Sequence, residues 1–407
     1  MPDQLPPFKT APRSAMPKSI WALGFVSLLM DISSEMIHSL LPLFMVTVMG
    51  LSATTIGLIE GVAESTALIV KVFSGALSDY LGKRKALAVI GYGLGAASKP
   101  LFVLANSASM VLTARFIDRI GKGIRGAPRD ALVADLAPPE MRGTAFGLRQ
   151  ALDTVGAFAG PLLAVVLMLL WHDDFRAVFA VATIPAVLAV LLLVVGVQEP
   201  ATVAKHKGVN PISREQLKRL PRAYWYIVVI GGVFTLARFS EAFLVLKAQQ
   251  VGVALALVPL VMVGMNVVYA AAAYPFGWLS DRMSHHKLLA LGLVTLLLAD
   301  VALAVAQGWP MLFLGVGLWG VHLAMTQGLL ATMVADVAPP ALRGTAYGVF
   351  NLVSGGAMLV ASVFAGVMWD VWGAAFTFIF GAIFCGLTLV MLVLLRPWRS
   401  MASWPRV

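Results

Sequence analysis

Acidic side chains recur at helical spacing within stretches of sequence that are otherwise apolar. Asp31, Glu35 and His38 stand at positions i, i+4 and i+7, so one face of a helix would carry all three. A carboxyl group in changing surroundings can bind and release a proton, because burial and nearby charges both shift its pKa. The pattern therefore favours proton-coupled chemistry. The candidate proton-coupling residues are Asp31, Glu35, Glu60, Glu64 and Asp153.

Basic side chains accompany these acids. Arg115, Arg119 and Lys122 follow one another at helical spacing, and further arginines continue the stripe. Arginine binds carboxylate and phosphate groups through two parallel hydrogen bonds, so the stripe is typical of an anion-binding or ion-paired site. The candidate substrate-binding residues are Lys122, Arg119, Arg125 and Arg149, with the neutral polar residues Asn266, His322 and Gln327 further along the chain.

The composition indicates where these charges lie. The chain of 407 residues is 59% hydrophobic and only 12% charged, with a mean hydropathy of +0.87, which is too apolar for a soluble protein. A charge at the centre of a bilayer costs about 2.5 to 3.5 kcal/mol, so the charged stripes must line a polar space or pair with one another. Twelve apolar segments are long enough to span a membrane. They lie near residues 19–49, 53–81, 85–106, 109–134, 141–171, 174–197, 223–250, 255–282, 286–306, 309–336, 342–370 and 372–396.

Two sequence repeats show that the chain is duplicated. VADLAPPEMRGTAFG, residues 133–147, returns as VADVAPPALRGTAYG, residues 334–348, with eleven of fifteen positions identical at an offset of 201. GALSDYLGKRK from Gly75 returns as GWLSDRMSHHK from Gly277 at an offset of 202. Since six spans separate the copies, both halves have the same orientation. We predict an all-α polytopic membrane protein with twelve transmembrane helices in two pseudo-symmetric bundles of six.

Lysine and arginine set the expected topology. Most of the 30 basic residues lie before the first span, in every second loop and after the last span, which predicts that both termini are cytoplasmic. The expected location is the cell membrane, the inner membrane if the chain is bacterial. The predicted divisions are a cytoplasmic segment 1–18, a bundle 19–197, a cytoplasmic linker 198–222, a bundle 223–396 and a cytoplasmic tail 397–407.

Other partners and chemistries find no support in the sequence. The net charge of +10 follows from topology, and no nucleic-acid motif accompanies it. The single cysteine, Cys385, excludes a disulfide within the chain, and we expect no metal and no cofactor. No nucleophile elbow, zinc-protease motif or phosphate-binding loop is present, so we expect no enzymatic activity and no ATP-driven pumping. The expected partners are protons, a small-molecule substrate and the lipid bilayer, bound by a monomer.

Three motifs resemble those of the major facilitator superfamily. GALSDYLGKRK is similar to the loop signature of that superfamily, and GWLSDRMSHHK to a degenerate copy. Arg115 in ARFIDRIGKG resembles its fourth-helix arginine, although Asp118 and Arg119 replace the usual Gln-Gly pair. GAFAGP, residues 156–161, resembles the fifth-helix motif of its proton-coupled antiporters. The resemblance implies a twelve-helix fold whose central cavity is lined by helices 1, 2, 4 and 5 of the first half and their counterparts.

The repeated loops also suggest gates between the halves. Asp79 and Asp281 stand four residues after Gly75 and Gly277, and an aspartate there can bind the start of a helix in the opposite half. The Pro-Pro pairs predict new helices beginning near Arg142 and Arg343. We expect Asp79 to pair with Arg343 and Asp281 with Arg142. The candidate gating residues are Gly75, Asp79, Arg142, Gly277, Asp281 and Arg343.

These features predict a proton-coupled secondary transporter that works by alternating access. The resemblance of GAFAGP to the antiporter motif implies that it exports a small organic solute. A proton symporter for an organic anion and, third, a divalent-cation transporter stay open as alternatives. We expect the first half to carry ion coupling and the second to shape specificity. Individual charges also have simpler interpretations: Arg115 and Arg129 can reach the membrane surface, Lys99 can be structural, and His38 can be a hydrogen-bonded interior histidine.

Overall fold

The computed structural model describes residues 16–199, 214–280 and 282–394, without the side chains of residues 76, 79, 214 and 341. Within those ranges the chain forms twelve helical spans and no strand. The first six are α1 Lys18–Val48, α2 Ala53–Leu81, α3 Arg84–Leu104, α4 Ala108–Leu136, α5 Arg142–Leu170 and α6 Phe175–Gly196. The second six are α7 Arg222–Leu236 with Ala242–Gln250, α8 Leu260–Ser280, α9 His285–Val305, α10 Trp309–Val337, α11 Arg343–Trp372 and α12 Ala374–Leu394.

The predicted fold class is confirmed, with one difference in the seventh span. In the described part of the chain, nine helices are long and apolar enough to cross a membrane. The other spans are α2 and α4, which carry the charged stripes, and α7. The sequence predicted one continuous segment at 223–250, but α7 is interrupted at residues 237–241. The backbone N–H of Ser240, within this interruption, donates to Ser362 Oγ on α11.

Local chemistry fixes where several helices start. Ser52, Ser107 and Asp174 precede α2, α4 and α6, and each side chain accepts a hydrogen bond from a backbone N–H of the first turn. Gly82, with φ of 62°, closes α2 in the left-handed conformation that glycine adopts readily. The helices α5 and α11 begin at Arg142 and Arg343, after a short turn from the Pro-Pro pairs, as predicted.

The two halves repeat one packing scheme. In the first half α1 packs on α5 and α6, and α4 packs on α2 and α3. In the second half α7 packs on α11 and α12, and α10 packs on α8 and α9. Between the halves, α2 packs along α11 and α5 along α8. The helix pairings therefore show the pseudo-symmetry that the sequence repeat predicted.

The halves contact each other at one side of the molecule. We call the side on which α1 begins the terminal side, and the other the far side. At the far side, a Cβ added to Gly366 on α11 would lie 2.4 Å from Ala53 O at the start of α2. At the terminal side, no atom in the described part of the other half lies within 4 Å of the Cβ positions of Gly75, Gly143 or Gly344. The space between the halves is thus closed at the far side in this conformation.

Candidate functional site

Arg115 of α4 forms a buried ion pair with Glu60 of α2. Its Nε donates to Glu60 Oε1 at 3.0 Å, and its Nη2 pairs with Glu60 Oε2. Arg115 and Glu60 are 2% and 4% exposed, so the pair is desolvated. Arg115 Nη1 also contacts His38 Nε2 on α1. The interpretation that Arg115 reaches the membrane surface is wrong, because its guanidinium is turned inward to α1 and α2.

Arg119, one turn further along α4, contacts the same histidine from a second direction. Its Nη2 lies 2.6 Å from His38 Nε2 and 3.4 Å from Glu64 Oε1. Its Nε lies 3.8 Å from Asp118 Oδ2. Arg119 is 2% exposed, so the compensation for its charge comes from these neighbours. One network thus joins the predicted coupling acids of α2 to α1 and α4.

Lys99 on α3 extends the network away from the interface between the halves. Its Nζ donates to Asp118 Oδ1 at 2.9 Å and to Ser34 Oγ at 3.1 Å. Both charged side chains are almost fully buried. This location supports the structural interpretation of Lys99. Sequence reasoning did not select Asp118 as a site residue, although its place on the charged face of α4 was a usable signal.

His38 is held between an acid and two guanidinium groups. Its Nδ1 lies 3.7 Å from Glu35 Oε1 and 3.0 Å from Arg119 Nη2. Its Nε2 contacts both Arg115 and Arg119 and lies 3.8 Å from Asp118 Oδ2. Because guanidinium groups can only donate, the neutral ring accepts at Nε2, the nitrogen that both arginines approach. A second ring proton at Nε2 would remove that acceptor and repel both arginines. Protonation of His38 would therefore rearrange the contacts between α1 and α4.

Exposure within this cluster decreases from the space between the halves towards the bundle interior. The side chains of Glu64 and Glu35 are 35% and 22% exposed, and that of His38 is 13% exposed. Glu60 and Arg115 beyond them are nearly inaccessible. A proton that enters from the space between the halves reaches Glu35 and His38 before it reaches the buried pair.

A second ion cluster lies nearer the terminal side. Arg149 Nη1 pairs with Asp153 Oδ2 at 2.6 Å, one helical turn away on α5. Arg129 of α4 lies 4.0 Å from the same oxygen and 3.2 Å from Asp130. Asp31 lies within electrostatic reach of Asp153 and Arg129. The predicted coupling residues are therefore distributed over two clusters, with Glu35, Glu60 and Glu64 in one and Asp31 and Asp153 in the other.

The glycines of GAFAGP bring α5 against the acids of α1. A Cβ on Gly156 would lie 2.9 Å from Asp31 Cβ, and one on Gly160 would lie 2.8 Å from Glu35 Cβ. Both distances are shorter than ordinary contacts, so only glycine fits at this separation of the helices. The motif that resembles the antiporter sequence thus fixes the backbone beside two predicted coupling residues.

The predicted basic substrate contacts occupy different surroundings. Lys122 is exposed and has no ion-pair partner within 4 Å among the described residues, with Glu35 and Glu64 in electrostatic reach. Arg125 is 5% exposed and lies between α3 and α4, with its Cζ 4.8 Å from the centre of the Tyr92 ring. Of these basic residues, Lys122 has its charge most available to a ligand.

The polar candidates of the second half are also dispersed. Asn266 of α8 donates through Nδ2 to Ala157 O of α5, a direct contact between the halves. His322 is 0% exposed and its Nδ1 lies 2.8 Å from Gly292 O on α9. Gln327 is exposed where α10 is interrupted, next to Gly328 with φ of 84°. In this conformation His322 is enclosed by its own half.

Glu241 is a site residue that the sequence reasoning did not select. It ends the interruption of α7, and Glu35, Glu64 and Lys122 of the first half lie within its electrostatic reach. The recurrence of Ser-Glu at residues 34–35 and 240–241 was the available signal. Residues from both halves thus meet across the central space, with carboxylates on each side of it.

The predicted gate residues do not meet across the halves in the described chain. The Nε of Arg142 donates to Ala134 O of its own half, and a Cβ on Gly277 would meet nothing within 4 Å. A Cβ on Gly75 would contact Ala127 of its own half at 3.6 Å. Asp281 and the side chain of Asp79 lie outside the described residues. The pairs Asp79 with Arg343 and Asp281 with Arg142 stay predictions.

At the far side, a carboxylate of one half binds the start of a helix in the other half. Asp370, near the end of α11, accepts hydrogen bonds from the backbone N–H groups of Ala53 and Thr54 at 3.0 and 2.8 Å. Thr54 Oγ1 donates to it at 2.6 Å. An anion at a helix start is stabilised by the free N–H groups and the helix dipole. Asp370 therefore connects α11 to α2. The repeated sequence motifs did not predict this contact.

Among the described residues, no group of three or more His, Cys, Asp or Glu side chains is placed to hold a metal ion.

The fold and site define a polytopic membrane protein built as two six-helix halves around a space lined by charge. The family model of the major facilitator superfamily matches residues 23–246 and 233–403. The chain belongs to this superfamily of transporters.

Individual relatives agree with that family. An uncharacterised MFS-type transporter of Methanocaldococcus jannaschii is 32% identical over 92% of this chain and 95% of its own length. Multidrug resistance protein MdtH of Salmonella paratyphi B is 26% identical over 76% of this chain and 77% of its own. The crystal structure of a bacterial homologue of the human lysosomal transporter Spinster superposes with a TM-score of 0.77 at 16% identity, covering 95% of this chain and 98% of that one.

Proposed function

We propose that this protein is a proton-coupled secondary transporter that exports small organic molecules by alternating access. The observation that carries the proposal is His38, placed between Glu35 on one side and Arg115 and Arg119 on the other. A proton taken up by the Glu35 and His38 pair expels the guanidinium groups from Nε2 and frees them to strengthen other pairs. Proton uptake is thereby converted into a shift of α1 against α4.

Transmission to the second half runs through Glu60. Glu60 Oε2 pairs with Arg115 and also accepts from Ser240 Oγ at 3.5 Å, in the interruption of α7. A change in the Arg115 contact therefore alters a hydrogen bond between the halves. The same interruption carries Glu241, which lies within electrostatic reach of Glu35 and Glu64, so substrate and proton act on one segment of α7.

We further propose that the terminal side is cytoplasmic, so the conformation seen here is open to the cytoplasm. The Asp370 contacts then close the outer side. When the outer side opens, Asp79 with Arg343 and Asp281 with Arg142 close the inner side. The similarity to a multidrug resistance protein supports an exported organic substrate. We also propose that the protein lies in the cell membrane with both termini in the cytoplasm.

Symport of an organic anion is a second candidate, and Lys122 is the observation that favours it. An exposed ammonium group without an ion-pair partner among the described residues can receive a carboxylate or phosphate group. The guanidinium groups of Arg119, Arg125 and Arg149 are less available to an anion. Arg119 and Arg149 pair with acids of the first half, and Arg125 lies over the Tyr92 ring.

The central test uses purified protein in proteoliposomes with ethidium as the transported probe. Under a pH gradient the wild type should concentrate ethidium, and a protonophore should abolish this accumulation. Glu35→Gln should retain ethidium counterflow, which needs no gradient, and lose gradient-driven accumulation, because the amide cannot exchange a proton. Asp173→Asn, which alters an exposed loop carboxylate, is the matched control. Normal proton-driven accumulation by Glu35→Gln would remove Glu35 from the mechanism.

A further inference from the structure

Asp300 is a buried carboxyl group that the proposed mechanism does not use. It lies on α9, is 0% exposed, and neither of its oxygens has a hydrogen-bond partner among the described residues. A Cβ on Gly381 of α12 would lie 2.7 Å from its Oδ2 and 3.0 Å from Cε1 of Phe239. The carboxyl group is therefore enclosed between α9, α12 and the interruption of α7.

The sequence repeat allows Asp300 to be compared with its counterpart in the first half. At the offset of 201 that relates α3 to α9 and α4 to α10, Lys99 corresponds to Asp300 and Asp118 to Trp319. The first pair is a buried salt bridge of 2.9 Å. In the second, Trp319 is 1% exposed, and its Nε1 also has no hydrogen-bond partner in the described part of the chain. The second half therefore has a buried acid, Asp300, where the first half has a buried cation, Lys99.

We infer that Asp300 is a second proton-binding site, occupied in this conformation and emptied when the interruption of α7 moves. An ionised carboxylate without partners is far costlier to bury than the neutral acid. The titratable or charged groups of the neighbouring helices do not offset that cost. Cys385 of α12 is neutral as a thiol, His322 of α10 is bonded to Gly292 O, and Arg238 of α7 lies over the Phe234 ring at 5.7 Å.

Phe239, in the interruption of α7, separates Asp300 from the space between the halves. Its ring lies 5.5 Å from Trp319 and 5.7 Å from Phe378, between centroids. The following residue, Ser240, contacts Glu60 of the first half. A movement at this point shifts Phe239 and admits water to Asp300, which can then ionise. The binding of the proton rests on the burial of Asp300 alone, whereas its part in transport rests on the function proposed above.

Infrared spectroscopy of the purified full-length protein at neutral pH tests the proton directly. Asp300→Asn should lose the C=O stretching band of one protonated carboxyl group, and Asp173→Asn should keep it. Asp300→Leu serves as a second variant, since an apolar side chain of similar size suits the same apolar surroundings and secures a folded sample. Spectra of both Asp300 variants that match the wild type would overturn the proposal.

The transport arm uses proteoliposomes loaded with a pH-sensitive dye and exposed to ethidium. Asp300→Asn should move one proton fewer per ethidium than the wild type, with ethidium counterflow retained. An unchanged proton count with the band lost would refute the role in coupling while keeping the binding site. A wild type that moves ethidium without protons would refute the proposed function, and the infrared result would still decide whether Asp300 is protonated.

Discussion

Lys99 and Asp118 in the first half occupy the repeat positions of Asp300 and Trp319 in the second. The first pair is a buried salt bridge, while the second consists of an acid and an indole that do not bond to each other. The first half buries several arginines, acids and one histidine within its apolar core, whereas the buried residues around Trp319 in the second half are largely aromatic and aliphatic. The same scheme of helix packing thus supports two different interiors.

This difference indicates a division of work. A network of ion pairs has several arrangements of similar energy, because a guanidinium group can exchange one carboxylate for another. An apolar interior of close-packed rings has fewer arrangements and resists shear. We interpret the first half as the part whose ion pairs rearrange on protonation. The second half, apart from Asp300 and the interruption of α7 beside it, is the more rigid part.

Of the changes that test this difference between the halves, Arg115→Gln should lower the stability of the protein most. Glu60 would be left buried without its guanidinium partner, and breaking a buried pair in this way costs about 3 to 5 kcal/mol. The melting temperature of the purified protein should fall strongly. The double variant Glu60→Gln, Arg115→Gln should recover part of the loss, because no unpaired charge then remains. Equal melting of single, double and wild-type proteins would show that the charge network does not stabilise the first half.

A smaller effect is expected where the halves differ by one methyl group. Gly160 of α5 corresponds to Ala361 of α11 at the repeat offset. Gly160→Ala would place its Cβ 2.8 Å from both Glu35 Cβ and Ile32 O, so overpacking of about 1 to 3 kcal/mol should follow. Gly356→Ala on α11 meets nothing within 4 Å and should leave the melting temperature unchanged or raise it. Equal effects of both changes would contradict the close contact of α1 and α5.

The contact between the halves at the far side can be weakened without touching either core. Asp370→Asn removes a charge that accepts three hydrogen bonds from α2. Hydrogen bonds to charged groups contribute about 1.5 to 3 kcal/mol net. Because Asp370 is exposed, we expect the lower end, which lowers the equilibrium constant for closure about tenfold.

Thiol labelling from the far side measures this change. A cysteine at Leu359, which packs on Gly61 across the interface, should react faster in Asp370→Asn than in the Asp173→Asn control. The native Cys385 is replaced by serine in all samples. Equal labelling rates would mean that Asp370 does not hold the far side closed.

The smallest effect is expected from Lys122→Gln. The ammonium group is exposed, so its removal changes binding by about 1 kcal/mol or less. If the protein is the proposed exporter and carries ethidium, the affinity for this cation should rise slightly, since the acids nearby lose a competing positive charge. For an anion symporter, binding of succinate as the probe should weaken instead. The sign of the change, measured by isothermal calorimetry, separates the two proposed functions.

Much of the architecture is encoded locally. The repeats, the apolar segments and the Pro-Pro pairs predicted twelve helices in two halves and the starts of α5 and α11. The interruption of α7 was missed because residues 237–241 form no glycine or proline break. Of the site, helical spacing predicted which faces carry charge, but the division of Asp31 and Glu35 between two clusters depends on which helices pack beside α1.

The sequence by itself determined the kind of molecule, because composition and hydropathic length depend on no contact between distant residues. It also selected the charged stripes, since helical periodicity is a local property. Only the tertiary structure decided that Arg115 pairs with Glu60, that Gly160 meets Glu35 and that Asp370 binds the start of α2. Such pairings depend on the rotation and depth of each helix against its neighbours, and these are set by the packing of all twelve helices together.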